Sequence, residues 1–229
     1  MPDFPSHITE IDTNLPQTAL LCGRFNLANF TPDRFAALQI ACPDSLKPAA
    51  DKRKAEFLAG RAMAKRALQS LNQPPADIPI GPTRAPIWPR GIAGSISHAR
   101  GHCAAIITTR PNTDLGVDIE AIATGTALKA IRKTALTQPE HALLTGQPDS
   151  LATLVFSAKE TLFKALHPTV QSHFGFDAAR LIQLPSNGNA RFILTRTLHA
   201  SLTEGAVFDV QFYTADDHVL SWLAVHSNR

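Results

Sequence analysis

This sequence is short of cysteine, of long apolar runs and of any strong excess of charge, and each shortage excludes something. The three cysteines in 229 residues, Cys22, Cys42 and Cys103, stand without CxxC spacing. An odd, sparse set suits neither a disulfide scaffold nor a zinc knuckle. No stretch approaches the roughly 20 apolar residues of a membrane span, so no membrane partner is expected. The opening MPDFPSHITEID carries acids where a secretion signal needs bases, which predicts a cytoplasmic protein. Lys and Arg number 22 against 19 Asp and Glu, a net +3. That excess is too mild to call for nucleic acid, though it suits an acidic partner or a phosphate-rich ligand.

What is present is punctuated by 17 prolines. Residues 1–50, with Pro5, Pro16, Pro32, Pro43 and Pro48, read as irregular or short elements. Asp51 to Leu71 lacks proline and spaces Phe57, Gly60, Ala64, Leu68 and Leu71 near helical period, which predicts an amphipathic helix. Residues 74–94 hold six prolines and must form an extended loop, of a length that usually carries function. Strands are expected over Ser95–Thr109, Leu115–Ile122, Ala206–Thr214 and Val219–Val225, and the strongest helix over 149–166. The turn TRPNTD suggests a division into halves 1–113 and 114–229.

Four short constellations carry chemistry. Asp118 and Glu120 lie two apart on a strand whose Leu115, Val117 and Ile119 face the core, so both carboxylates share one face. Alone, the pair reads as the wet face of a half-exposed strand. Alternatively, two close carboxylates repel, and a hard divalent cation would relieve them. On the 149–166 helix, Leu151, Leu154, Val155, Ala158, Leu162, Ala165 and Leu166 form one stripe; Thr153, Ser157, Glu160 and Lys164 form the opposite one. Glu160 and Lys164 are then either a surface ion pair at i,i+4 or a third metal oxygen and a phosphate contact. In GSISH (94–98), Ser97 and His98 are able to donate to a phosphate, although a lone Ser-His pair is often structural. No G-x-S-x-G elbow accompanies it. Arg53 and Arg61, two turns apart, are either solvated helix charges or guanidinium forks for phosphate.

Order and spacing resolve what the pieces leave open. R-x7-R (53–61), P-I-W-P-R-G-I-A-G-S-I-S-H (86–98), G-V-D-I-E (116–120) and F-S-A-K-E-T-L-F-K (156–164) together resemble the 4′-phosphopantetheinyl transferases of the surfactin-synthetase-activating type. Within that family the likeness is to the enterobactin synthase component D branch. It covers roughly residues 50–166. Phe156 stands where Trp is commoner, and Thr161 where Ala or Ser is usual.

The resemblance implies an α+β fold of two similar halves about a pseudo-twofold axis, working as a monomer with coenzyme A in the cleft between them. It implies Asp118, Glu120 and Glu160 as ligands of Mg²⁺, with Mn²⁺ as the alternative. Lys164 is implied as a pyrophosphate contact, and Arg53, Arg61 and His98, with Ser97, as contacts of the nucleotide phosphates. Thr83, Arg84 and Pro86 resemble the adenine-side wall. The implied reaction has a serine of an apo acyl, peptidyl or aryl carrier protein attack the phosphorus next to pantetheine, releasing 3′,5′-ADP. Glu160 is the candidate base, directly or through a metal-bound water. The branch likeness leans toward siderophore biosynthesis. Two other readings are a Mg-dependent coenzyme A or nucleotide pyrophosphate hydrolase, and a non-catalytic carrier-binding module. The hydrolase would turn over coenzyme A without an acceptor; the module would need a broken site.

Overall fold

The computed structural model describes residues 3–227, in two compact units, one ending at Leu115 and the other running Gly116–Ser227. Each unit is an antiparallel sheet with one long helix packed across it, so the fold class is α+β, as expected. Among the described residues no helix is long and apolar enough to cross a membrane.

The first unit's sheet is built from β1 (Ser6–Ile11), β2 (Thr18–Arg24), β3 (Ala93–Ala99) and β4 (His102–Thr108), in the order β1-β2-β4-β3. Two of these strands, of six and seven residues, lie in the stretch expected to hold irregular or short elements. The run TALLCG in β2 shows no alternation because it is covered throughout, and a buried strand loses its period-2 signature. The single strand expected over Ser95–Thr109 is a hairpin instead. Arg100 (φ +43°) and Gly101 (φ +85°) turn the chain back on itself, a conformation that glycine adopts without cost. A short helix, α1 (Arg34–Ala37), precedes α2 (Asp51–Ser70), which takes up the predicted helical segment. The buried side of α2 is wider than one stripe. Ala55, Leu58, Ala59, Ala62, Met63 and Ala67 join Phe57, Ala64 and Leu68, packing against Leu21, Ala105 and Ile107 of the sheet.

In the second unit β5 (Thr113–Ala121) is followed by α3 (Gly125–Thr134), α4 (Gln138–Leu143) and α5 (Ser150–Val170). Then come β6 (Ala179–Leu181), β7 (Asn189–Leu194), β8 (Val207–Thr214) and β9 (His218–His226), in the sheet order β5-β9-β8-β7-β6. Val155, Leu162 and Leu166 of α5 pack against Phe192, Val210 and Leu223. The opposite stripe of α5, polar in sequence, is not a water face. Thr153, Ser157 and Thr161 are fully buried. Ser157 Oγ lies 2.8 Å from Ser221 Oγ, Thr161 Oγ1 donates to Ser221 O at 3.2 Å, and Thr153 Oγ1 accepts from Ala123 N at 3.1 Å. Hydroxyls carry this stripe because each finds a partner, Ser157 and Thr161 at Ser221 of β9 and Thr153 at the segment just after β5.

Lys159, also on α5, is buried with Glu140 of α4. Its ammonium donates to Glu140 Oε2 (2.7 Å), Ala135 O (2.8 Å) and Phe176 O (3.0 Å). Burial holds this lysine's pKa below its usual value, with the Glu140 charge opposing the shift.

Strand and helix backbones come close together at Gly116 of β5. A Cβ there would stand 2.1 Å from Thr161 O and 3.0 Å from Ala165 N of α5. Only a residue without a side chain lets strand and helix lie this near. Gly116→Ala is therefore expected to destabilise by about 1–3 kcal/mol or more, since the clash is with backbone that cannot rotate away. Urea unfolding measures it; an unchanged midpoint would refute the close packing.

Candidate functional site

In the first unit, α2, the end of β3 and the proline-rich loop enclose a cavity of about 480 Å³. Arg53, Glu56, Phe57, Gly60 and Arg61 line it from α2, Ile96 and His98 from β3, and Ile80, Arg84 and Pro86 from the loop. The loop is ordered by its own hydrogen bonds. Gly81 N donates to Ala85 O at 2.8 Å and Ile87 N to Pro79 O at 3.0 Å, a narrow excursion with Arg84 in a left-handed conformation.

Arg61 does two jobs on that wall. Its guanidinium stacks over the Phe57 ring at 4.7 Å, and Nε donates to Ile78 O at 2.5 Å, tying the loop to the helix. Arg53 is more open, with Nη1 3.0 Å from His98 Nε2 and 3.7 Å from Glu56 Oε2. Burial, and then the like charge of Arg53, lower the Arg61 pKa to about 10. It remains a cation at neutral pH, and the two guanidiniums bear a repulsion that an anion between them would relieve.

In the second unit, the Gly116 crossing sets β5 under α5 so that Asp118 and the Glu160–Lys164 turn come together. Asp118 is buried, contrary to a wet strand face, and Lys164 Nζ donates to its Oδ1 at 2.7 Å and to Val117 O at 2.9 Å. Lys164 thus reaches across to the strand, rather than forming only an i,i+4 pair on the helix. Glu160 has its pKa raised, first by burial and then by the Asp118 charge; Lys164 and His173 act in the opposite sense. Glu120 follows on the same face of β5, half-buried. The three carboxylates do not all come within 4.8 Å of one another, and Asp118 is paired with Lys164 at 2.7 Å. The donor set nevertheless fits a hard divalent cation. It is oxygen only, and the charge coupling between Asp118 and Glu160 is the kind a cation offsets.

A model of the 4′-phosphopantetheinyl transferase N-terminal domain matches residues 43–108, and one of the 4′-phosphopantetheinyl transferase superfamily matches 114–222. The chain belongs to this family. A 4′-phosphopantetheinyl transferase, Npt, of Nocardia iowensis is 30% identical over 186 residues, 76% of this chain and 83% of that protein. The enterobactin synthase component D of Salmonella typhi is 39% identical over 145 residues, and that of Escherichia coli (strain K12) 40% over 136. Those two matches take in 62% and 57% of this chain and 59% and 62% of the relatives, about six tenths of each. As a 4′-phosphopantetheinyl transferase by family the chain is an enzyme, related to the component D branch.

Of the residues singled out in the sequence, Arg53, Arg61, Arg84, Pro86 and His98 share the cavity wall. Thr83 sits exposed at the loop's tip and is not among the lining residues. Ser97, one residue before His98, is buried on the other face of β3, as the period of a strand requires. Two residues are not marked by sequence pattern. Glu56 shares the cavity, and its only signal is a place one turn beyond Arg53; Gly116 lies within G-V-D-I-E, where spacing alone does not show its packing.

The geometry separates the two arginines. Arg61→Ala removes a buried stack and the loop tether and is expected to lower the melting temperature clearly, whereas Arg53→Ala leaves it nearly unchanged; equal shifts in thermal melts would refute this. For Glu160, a raised folded pKa means its stabilising share is complete below the unfolded value near 4.5 and is lost as pH rises through the folded value. Glu160→Gln in metal-free buffer is therefore expected to melt at or above the native chain, with an advantage that is absent below pH 4.5 and grows above it. A melting curve at each of several pH values reads this directly, and an advantage confined to acid would reverse the assignment.

Proposed function

We infer that the chain transfers the 4′-phosphopantetheine group of coenzyme A to a serine of an apo-carrier protein and releases 3′,5′-ADP. In this reading residues 1–113 take the nucleotide phosphates and 114–229 the metal. What carries it is the charge pattern around Glu160: a half-buried carboxylate, its pKa raised first by burial and then by the Asp118 charge, with Lys164 one turn further along the helix donating to Asp118. Such a group is at once a better base than a solvated carboxylate and a ligand poorly satisfied without a cation.

Asp118, Glu120 and Glu160 would hold a divalent ion, which when bound supplies positive charge to the pyrophosphate oxygens and the leaving group. Glu160 takes the proton from the carrier serine as the hydroxyl attacks phosphorus. Lys164 shares its ammonium between Asp118 and the phosphate oxygens, adding charge where the leaving phosphate develops it. In the first unit Arg53, Arg61 and His98 hold phosphate in the cavity, the 3′-phosphate among them, and Arg84 and Pro86 flank the base.

Mass spectrometry of apo-carrier proteins incubated with the chain, coenzyme A and Mg²⁺ should show a gain of one phosphopantetheine group, and none in excess EDTA. Glu160→Gln should lose at least about a hundredfold in kcat/KM. Full activity in EDTA would remove the metal from the reading. Consumption of coenzyme A at the same rate without a carrier would replace transfer by hydrolysis.

A further inference from the structure

A carboxylate stands inside the cavity read as a phosphate seat. Glu56 projects from α2 one turn after Arg53, and its side chain is only 16% exposed. Its Oε2 lies 3.7 Å from Arg53 Nη1 and 3.9 Å from His98 Nδ1. On charge alone, an acid here weakens any anion the cavity takes.

The hydrogen-bond chemistry gives it a purpose. A guanidinium only donates, so His98 Nε2, 3.0 Å from Arg53 Nη1, is the acceptor of that bond and carries no proton. The neutral ring then holds its proton on Nδ1, the nitrogen turned to Glu56. Histidine more often carries the proton on Nε2, so the Arg53 bond selects the less usual tautomer, whose Nδ1 proton lies on the side of the carboxylate, 3.9 Å from Oε2.

We propose that Glu56 is a positioning residue for His98 and Arg53, fixing the ring so that Nε2, beside the guanidinium, is the nitrogen presented to phosphate. The assignment rests on reading the cavity as a phosphate seat. An entering phosphate takes the Arg53 hydrogen bond for itself. Nε2, released from that donor, takes up one proton from solvent and donates to the anion, while Nδ1–H continues to face Glu56. The imidazolium formed lies between two negative groups, and the carboxylate that repels the phosphate also stabilises the cation that binds it.

Two measurements test this. In long-range ¹H–¹⁵N spectra of the native chain without ligand, above the ring's titration, His98 Nε2 should show as the unprotonated nitrogen. Glu56→Ala should move the ring toward the Nε2–H tautomer, and Glu56→Gln, which keeps an acceptor oxygen, should restore the native pattern. By calorimetry with 3′,5′-ADP as the probe, Glu56→Ala should bind about tenfold more weakly, the loss of a charge-assisted contact. A carboxylate that acts only as a like charge predicts the opposite, tighter binding. An Nε2–H ring in the native chain, or tighter binding by Glu56→Ala, overturns the proposal. Failure of the native chain to bind 3′,5′-ADP overturns the reading of the cavity instead, and the spectra still decide the role of Glu56.

Discussion

The crossing of β5 under α5 at Gly116 is the contact on which the second unit's chemistry depends. Thr161 O rests where a side chain at 116 would be, and this fixes the local register of strand and helix. Asp118 lies two residues along the strand from the contact, and Glu160 one residue before it on the helix. The acids are therefore placed by backbone against backbone, a more rigid arrangement than side-chain packing. The seam of Thr153, Ser157 and Thr161 extends the same contact along the helix. Hydroxyls there satisfy the groups they meet without bulk, so the helix stays close to the sheet over about two turns.

The first unit solves a similar problem differently. Its ligand-facing groups come from a helix, a strand and a loop, and the loop has little regular structure of its own. Arg61 stacked on Phe57 and bonded to Ile78 O supplies what the loop lacks. Arg61 bears the cost of that position: burial first, and then the like charge of Arg53 on the same wall, lower its pKa to about 10. Storing unfavourable charge in a folded site, to be discharged by a ligand, is common where binding must be strong and selective.

Sequence reading found the elements that keep one period over many residues. α2 and α5 were legible through apolar residues at helical spacing, and β8 and β9 as apolar runs on either side of the polar turn at Asp216 and Asp217. β2 was not, because a covered strand shows a plain apolar run, and prolines on either side hid its ends. The hairpin at Arg100–Gly101 was read as one strand, since a tight turn leaves almost no polar residues to mark it. Among the site residues, motif spacing pointed to Arg53, Arg61 and His98, which the fold sets on one wall. It could not tell that Ser97 faces away, a matter of strand phase, nor that Lys164 reaches Asp118 across 46 positions of chain. Glu56 escaped because an acid beside basic residues on a helix looks like ordinary surface charge.

Glu140 has a consequence for how the second unit comes apart. Its carboxylate caps α4 through Thr137 N and Thr137 Oγ1, accepts Leu181 N of β6 and binds Lys159 of α5. A cap is ordinarily a local device that forms as soon as its own turn does. This one is complete only when a segment 41 residues further along the chain has docked. The helix, the sheet edge and α5 are therefore joined through one carboxylate. Opening any one of them strands a buried charge, so the unit unfolds as a block and offers proteases few partly open forms on the way.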